Sequence, residues 1–194
     1  MGLLSGPEII RRIGTGDIVI DPFRESAVNP NSVNLRLSDR LLVYEFRLSD
    51  EYVTRGHGYV RQGYCLDMKK EHLVRELIIP EEGLVLEPNT LYLGSTMEYT
   101  ETRGLVPCLE GRSSVGRLGL CVHVTAGFGD NLFSGDWTLE LTTVHPLRIY
   151  AGVEVCQIAY SELTGEQTAY KGKYQGQRGP KPSGLWKDFL RQER

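Results

Sequence analysis

The chain has 194 residues, enough for one compact domain with a sizeable core, and residues 1–194 are predicted to form a single domain. Its 22 Lys and Arg residues against 25 Asp and Glu leave a formal net charge of -3, which excludes the overall basic field typical of nucleic-acid binding. No apolar run approaches the length of a membrane span, and charges at Arg11 and Arg12 argue against a signal peptide. We therefore expect a soluble, cytoplasmic protein without nucleic-acid or membrane partners.

The cysteines and histidines carry no metal-binding pattern. There is no CxxC pair, and the four histidines form neither HxxxH nor HxE, so a zinc site is not expected. The four cysteines are widely spaced and three lie in apolar runs, which is typical of buried free thiols in a reducing compartment. They are Cys65, Cys108, Cys121 and Cys156.

The N-terminal residues predict a short helix. Ser5 precedes Pro7 and a stretch of apolar and basic residues at 9–13, which is the order of a capped helix with proline in its first turn. Gly14 is predicted to end this helix.

Nine short runs of β-prone residues follow, separated by Pro, Gly, Asn and Asp. They cover residues 17–20, 32–37, 41–46, 83–86, 90–95, 105–109, 121–125, 137–144 and 153–160. This many short strands indicates a mainly β domain, either a barrel or a jelly-roll-like sandwich, with helices only at its edges.

The C-terminal part, residues 165–194, differs from the body of the chain. Residues 165–183 contain few apolar side chains and many Gly, Lys, Gln and Pro, so they are either a frayed tail or a lid that orders over a charged ligand. The lid would reach that ligand through Lys171, Lys173, Gln177 and Arg178. A small helical anchor is predicted from Leu185, Trp186, Phe189 and Leu190.

Residues 110–120, EGRSSVGRLGL, combine the groups that hold a polyanion. The glycines permit close approach of the backbone to a ligand, and Ser113 or Ser114 is predicted to cap a short helical turn whose N–H groups face negative charge. Arg112 and Arg117 supply planar donor forks for phosphate oxygens. An ordinary surface turn has the same composition, so the string alone leaves both interpretations open.

Two acidic residues are candidate catalytic groups. The strand predicted at 137–144 alternates, placing Trp137 and Leu139 on a core face and Glu140 on the opposite face, where it is either a solvated charge or a general base. Asp130 lies in a glycine-containing loop at 125–131, where an aspartate is most often a backbone cap.

Five segments occur in a characteristic order: GRSSVGRLGL at 111–120, VHVTAGFGD at 122–130, TLEL at 138–141, CQI at 156–158 and GKYQGQRG at 172–179. A sixth, PNSVNLRL at 30–37, precedes them. With these segments, the chain from Leu4 to Phe189 resembles the dCTP deaminases of the dUTPase superfamily, in which the sixth segment is an N-terminal strand. The resemblance implies a distorted jelly-roll subunit with short edge helices. It also implies a homotrimer whose active sites form between neighbours.

The resemblance implies the following roles. Glu140 corresponds to the catalytic glutamate that moves protons while water attacks C4 of the cytosine and ammonia leaves. Arg117, Ser113 and the backbone around Ala126 would hold the attacking water, so no zinc-bound hydroxide is required. The catalytic set is completed by Asp130.

The implied substrate is dCTP, with dUTP as an alternative substrate and dTTP as an expected inhibitor. Its ligands would be Arg112, Ser113, Ser114, Val115, Gly116, Arg117, Asp130, Thr138, Leu139, Glu140, Gln157, Tyr170, Lys173 and Gln177. Mg²⁺ is expected as a cofactor that bridges the phosphates, without dedicated protein ligands.

The loop around Asp130 favours dUMP as the product. Residues 126–130 read AGFGD, closer to the A-G-[WYF]-I-D of dUTPases and dUMP-forming deaminases than to the A-H-R-I-D of deaminases that stop at dUTP. We therefore expect release of ammonia and pyrophosphate from dCTP. The alternatives are a deaminase giving dUTP, a dUTPase, for which Glu140 would be superfluous, and a nucleotide-binding regulator that is not an enzyme.

Four positions depart from the family pattern. Gly129 replaces Ile or Val, Asn131 and Leu132 replace a Pro-Gly or Ala-Gly turn, Glu154 replaces an arginine, and Asn34 replaces an aspartate. We expect the phosphate side of the site to be the part most affected.

Overall fold

The structure is a computed structural model, and it describes residues 2–45 and 65–190. The strands are β1 (Ile18–Asp21), β2 (Val33–Arg36), β3 (Arg40–Tyr44), β4 (Val74–Ile78), β5 (Leu84–Leu86), β6 (Tyr92–Thr102), β7 (Leu105–Gly111), β8 (Leu120–Cys121), β9 (Ser134–Thr143), β10 (Leu147–Ile149) and β11 (Glu154–Glu162). The α-helices are α1 (Gly6–Thr15), α2 (Ser113–Gly116) and α3 (Trp186–Leu190), with a 3-10 turn at Glu25–Ala27. The prediction of a mainly β domain with short edge helices is confirmed.

The strands form three antiparallel sheets around one core. The largest has the order β4-β3-β6-β9-β8 and carries β1 on the far end of β6, while β2-β11-β7 and β10-β5 form the other two. Apolar side chains from all three sheets share one cluster. Its fully buried members include Leu35 and Ile158 from the three-stranded sheet, Leu139 and Leu141 from β9, and Leu86 from β5.

Helix α1 begins as the sequence predicts but ends later. Ser5 is its N-cap and accepts a hydrogen bond from the Glu8 N–H at 3.4 Å. The predicted end at Gly14 is wrong, because the helix continues to Thr15 and stops where Gly16 adopts a φ of 78°. In that left-handed conformation the Gly16 N–H reaches the carbonyl oxygens of the last turn, which closes the helix.

The predicted strands differ from the observed ones at a few places. Residues 121–125 do not form a strand beyond Cys121. The Val122 carbonyl still accepts from Glu140 N–H on β9, but the chain then leaves β9, and the Gly127 carbonyl accepts from Leu109 N–H on β7. Two strands, β4 and β10, were not predicted. The first is a largely exposed edge strand with charged residues interleaved, and the second has only three residues. Phe46, at the end of the predicted 41–46 strand, lies outside the described residues.

All four cysteines are free thiols, but only Cys156 is buried. Burial raises the pKa of the Cys156 thiol. The prediction that three cysteines are buried is wrong, since Cys65 and Cys121 are exposed and Cys108 is half-buried. Apolar neighbours in the sequence did not bury Cys121 because it ends the two-residue strand β8 at a sheet edge. No described helix is long and apolar enough to cross a membrane.

Residues 170–184, which we call the strap, run beside strand β9. Gly176 N–H donates to the Ser134 carbonyl at 2.8 Å, and Asp136 N–H donates to the Gln177 carbonyl at 3.0 Å. Gly135 permits this close approach, because a Cβ at that position would lie 2.8 Å from the Gln177 carbonyl oxygen. The strap is thus attached to β9 by backbone hydrogen bonds.

Candidate active site

A cleft of about 620 Å³ lies where β9 meets the strap. Strand β9 contributes its polar face, the loop before β9 contributes a second wall, and the strap contributes a third. Its lining residues are Tyr44, Leu91, Leu93, Val124, Phe128, Gly129, Asp130, Phe133, Trp137, Thr138, Glu140, Thr142, Tyr170, Tyr174, Gln177, Lys181 and Ser183.

Glu140 lies on the cleft face of β9, between Thr138 and Thr142. The alternation predicted for this strand is present, since Leu139 and Leu141 are fully buried while the three polar side chains are half-buried. The strand is fixed at this point because the Glu140 N–H donates to the Val122 carbonyl at 2.8 Å. A carboxylate is therefore held at a defined position on the cleft wall.

Asp130 lines the same cleft and also a second one of about 460 Å³. Its loop is attached to β7 through two backbone hydrogen bonds, from Leu109 N–H to the Gly127 carbonyl at 2.7 Å and from Gly129 N–H to the Pro107 carbonyl at 2.8 Å. Asp130 therefore lies in the wall between two clefts rather than at the tip of a free loop.

The turn after Asp130 is held by the side chain of Asn131. Its Oδ1 accepts from Gly104 N–H at 2.8 Å, and its Nδ2 donates to the Thr168 carbonyl at 3.3 Å. Leu132 follows with a φ of 63°, a conformation that usually requires glycine. The departure at these two positions thus exchanges a glycine turn for a turn tied to its surroundings by an amide.

The strap brings two of the predicted ligands, Gln177 and Tyr170, into the cleft. Gln177 Nε2 donates to the Asp136 carbonyl at 2.6 Å, and Tyr170 N–H donates to the Asn131 carbonyl at 3.0 Å. Lys173, a third predicted ligand, does not line the cleft. Its ammonium lies 2.7 Å from the Asp188 carboxylate, whose hydrogen bond raises the pKa of the Lys173 amine and ties the strap to α3.

Asp136 fixes the far side of the strap. Its Oδ2 accepts from Gly179 N–H at 2.7 Å and lies 3.4 Å from Nε of Arg178, whose guanidinium lies over the Tyr99 ring. The Asp136 side chain is only 9 % exposed, so its charge acts where water screens it little. Sequence reasoning missed this residue because its partners lie about 40 positions further along the chain.

The arginine- and serine-containing turn lies outside the cleft. Helix α2 is preceded by Arg112 at the N-cap position and has no side-chain cap, so the prediction of a Ser113 or Ser114 cap is wrong. The chain enters the helix one residue earlier than such a cap requires, which leaves both hydroxyls inside its first turn. Ser113, Ser114 and Arg117 are exposed.

Arg112 is held by Glu154, one of the residues that departs from the family pattern. Nη1 of Arg112 lies 3.1 Å from the Glu154 Oε2 atom and donates to the Glu154 carbonyl at 3.0 Å. The same carboxylate accepts from Asn34 Nδ2 at 2.8 Å and from Arg24 Nη2 at 2.9 Å. The departures at Asn34 and Glu154 are therefore one exchange: a neutral amide faces a carboxylate that binds two arginines.

The structure divides the predicted site residues into two groups. Those that line the cleft are Asp130, Thr138, Glu140, Tyr170 and Gln177. Those that do not are Arg112, Ser113, Ser114, Val115, Gly116, Arg117, Ala126, Leu139, Gln157 and Lys173. The Leu139 side chain points into the core, and Gln157 bonds to the Gly111 carbonyl and to Ser32 instead of facing the cleft.

Several lining residues were not predicted. Tyr44, Lys181 and Ser183 come from opposite ends of the chain, and Ser183 N–H donates to the Tyr44 hydroxyl at 2.9 Å. No short-range sequence pattern predicts that Ser183 and Tyr44 are hydrogen-bonded. Within residues 2–45 and 65–190, no group of three or more His, Cys, Asp or Glu side chains is arranged to hold a metal ion.

The chain belongs to the dCTP deaminase-like family, whose model matches residues 3–163. The fold agrees with this membership. A crystal structure of 2'-deoxycytidine 5'-triphosphate deaminase from Agrobacterium tumefaciens superposes with a TM-score of 0.57 and 21% sequence identity, covering 82% of this chain and 48% of that one. The chain thus has the distorted jelly-roll, dUTPase-like architecture that the sequence predicts.

Relatives with much higher identity carry a more specific name. A protein of Leptospira biflexa is 54% identical over 188 residues, which are 96% of this chain and 98% of the relative. One of Clostridium acetobutylicum is 54% identical over 189 residues, covering 97% and 99%. One of Cytophaga hutchinsonii is 55% identical over 188 residues, covering 96% and 98%. Each is named "dCTP deaminase, dUMP-forming".

Proposed function

We propose that this protein converts dCTP to dUMP, releasing ammonia and pyrophosphate. The observation that carries the proposal is the presence of two carboxylates in one cleft, Glu140 on the β9 wall and Asp130 on the loop wall. Relatives named as dUMP-forming dCTP deaminases align with 96% or more of the chain, which supports both halves of the reaction. The reaction consumes two waters, one at C4 of the base and one at the α-phosphorus.

Glu140 serves the deamination step. Water adds to C4 as N3 gains a proton, and the amino group then leaves as ammonia after gaining a proton in turn. One carboxyl group next to the base performs these transfers in sequence, and general acid-base catalysis of this kind contributes about 10² to 10⁴ in rate. The hydroxyls of Thr138 and Thr142 flank Glu140 and provide hydrogen-bonding groups beside the base.

Asp130 serves the phosphate end. Its carboxylate lines the cleft on the side of Tyr170, which comes from the strap. In this position Asp130 orients either the water that attacks the phosphate or the ribose hydroxyl. Release of pyrophosphate then distinguishes this protein from a deaminase that stops at dUTP.

The remaining ligands come from a second copy of the chain in a homotrimer. The turn that bears Arg112, Ser113 and Arg117 lies outside its own chain's cleft, which supports its contribution to the cleft of a neighbouring subunit. Apolar side chains at the cleft support such a contact, because Val124 is 74% and Phe128 is 75% exposed. Exposed apolar surface of this kind is typical of an interface.

Mg²⁺ accompanies the triphosphate and neutralises its charge. The cleft offers Asp130 as a carboxylate near the phosphates but no cage of ligands among the described residues, which fits an ion held mainly by phosphate and water. The strap acts as the lid, with Gln177 and Tyr170 on the substrate and Lys173 available once it leaves Asp188. We further propose that dTTP inhibits the enzyme and that the enzyme acts in the cytoplasm.

Incubation of the purified protein with dCTP, and separately with dUTP, in the presence of Mg²⁺ tests the proposal. Chromatography should show dUMP and pyrophosphate from dCTP, with one ammonia per dCTP. Accumulation of dUTP alone would indicate a deaminase without phosphate cleavage, and turnover of dUTP but not dCTP would indicate a dUTPase. Nucleotide binding without any product would indicate a regulator. Light scattering of the same sample measures whether it is a trimer.

A further inference from the structure

Position 129, directly before Asp130, requires a glycine because a side chain there would not fit, and not because its backbone conformation is unusual. Its φ is not in the left-handed region, so any residue could adopt its conformation. A Cβ at this position, however, would overlap Cη2 of Trp137 and lie 2.9 Å from Cγ of Pro107. The indole of Trp137 therefore fills the space that the side chain at 129 would otherwise occupy.

The indole is fixed from its other end. Nε1 of Trp137 donates to the Thr100 hydroxyl at 2.9 Å, and the backbone N–H of Trp137 donates to the Thr96 hydroxyl at 3.0 Å. The ring also packs against Phe133, with 5.1 Å between the ring centroids. Trp137 is 8% exposed, so neither a rotation nor a shift of the ring is free of cost.

The loop is held against the indole by its own backbone bond. The Gly129 N–H donates to the Pro107 carbonyl at 2.8 Å, which presses the Gly129 backbone onto the ring edge. Asp130 follows directly, so the ring edge sets the depth at which its carboxylate enters the cleft. The family pattern places Ile or Val at 129, whereas here the indole of Trp137 on β9 occupies that space.

We propose that Trp137 is a positioning residue for Asp130, acting on the pyrophosphate-releasing step and not on deamination. This inference rests on the proposed function. Trp137 lines the cleft, but the role we assign to its indole is to fix the loop backbone that carries the Asp130 carboxylate. Displacement of a reacting group by about 1 Å costs about 10²-fold in rate, so a small shift of this loop is enough.

The test uses Trp137→Leu, which removes the indole from Gly129, and the double variant Gly129→Val/Trp137→Leu, which refills the space from the loop. With dCTP and Mg²⁺, Trp137→Leu should release ammonia but accumulate dUTP, because pyrophosphate release falls by about 10²-fold. The double variant should restore dUMP as the main product. Gly129→Val alone should give a lower yield of folded protein, because the valine side chain would overlap the indole of Trp137.

Ile9→Ala provides the control for lost core volume. Ile9 is fully buried on α1, away from the cleft, so this variant should melt at a lower temperature and yet keep the dUMP to dUTP ratio of the unmodified protein. An unchanged ratio in Trp137→Leu, or a double variant that still accumulates dUTP, would overturn the inference alone. Accumulation of dUTP by the unmodified protein would overturn the proposed function as well.

Discussion

The Oε2 atom of Glu154 lies 3.1 Å from Nη1 of Arg112, so the arginine that precedes helix α2 is ion-paired within its own chain. The second carboxylate oxygen of Glu154 lies 2.9 Å from Nη2 of Arg24. Glu154 thus separates two positive charges that would otherwise face each other.

Replacing Glu154 with glutamine should destabilise the protein. The substitution keeps the shape of the side chain but leaves Arg24 and Arg112 without a counter-charge in a site where all three side chains are only 22 to 33% exposed. We expect a loss of about 1 to 2 kcal/mol in the free energy of unfolding, less than for a fully buried pair. Urea denaturation measures this loss. Glu162→Gln, which removes an ion pair of Arg12 with a 62% exposed carboxylate, should cost less than about 0.5 kcal/mol; an equal loss in both variants would contradict the explanation.

Replacing Glu140 with glutamine should lower the rate of ammonia release from dCTP by about 10²-fold or more. The amide cannot carry the proton between water, N3 and the leaving group. Binding of dCTP, measured by calorimetry, should be kept, since the amide fills the same space beside Thr138 and Thr142. Glu87→Gln, an exposed carboxylate outside the cleft, is the matched control and should leave both measurements unchanged. Undiminished deamination by Glu140→Gln would mean that another group moves the protons.

Replacing Asp136 with alanine should release the strap. The variant loses the hydrogen bond from Gly179 N–H and the ion pair with Arg178, and bonds to a charged group typically contribute about 1.5 to 3 kcal/mol. Trypsin should then cleave after Arg178 about tenfold faster. The KM for dCTP should rise because Gln177 is no longer held at the cleft. Asp39→Ala, at an exposed turn, should leave the cleavage rate unchanged; equal protection in Asp136→Ala would show that the strap is held by other contacts.

The N-terminal helix should make stability depend on pH in the acidic range. Hydrogen bonds from Arg11 and Arg12 lower the pKa of Glu8 from 4.5 to about 2. A carboxyl group whose pKa is lower in the folded state stabilises the fold above its unfolded pKa, and this contribution disappears as the pH falls through the folded value. The melting temperature of the unmodified protein should therefore exceed that of Glu8→Gln near neutral pH, and the difference should shrink below pH 4.5. A difference in melting temperature that stays the same between neutral pH and pH 2 would contradict this explanation.

Short-range patterns predicted much of the fold. The two-residue period of β9 placed Glu140 on the cleft face and Leu139 in the core, because side chains alternate along any strand. Hydrophobic and turn residues located most of the other strands within one or two positions. The end of α1 was misplaced because two glycines stand near it, and only the backbone geometry decides between Gly14 and Gly16.

Long-range relations were beyond such patterns. Nothing in the sequence near Gly129 shows that its missing side chain is replaced by Trp137, and nothing near Asp136 shows that its partners are Arg178 and Gly179. Short-range patterns likewise did not show that Arg112 lies outside the cleft that contains Glu140. The family resemblance implies roles for the predicted site residues, and the structure shows which of them line the cleft.

Because the strap follows the last strand in the sequence, it is the last part of the cleft to be synthesised. A nascent chain that has emerged as far as β11 contains every described strand of the three sheets, so its core is able to form. Its cleft is nevertheless unfinished, since Gln177, Lys181 and Ser183 are still to be made. Completion of the strands therefore precedes completion of the cleft, and a chain truncated between these points would lack one wall of the cleft.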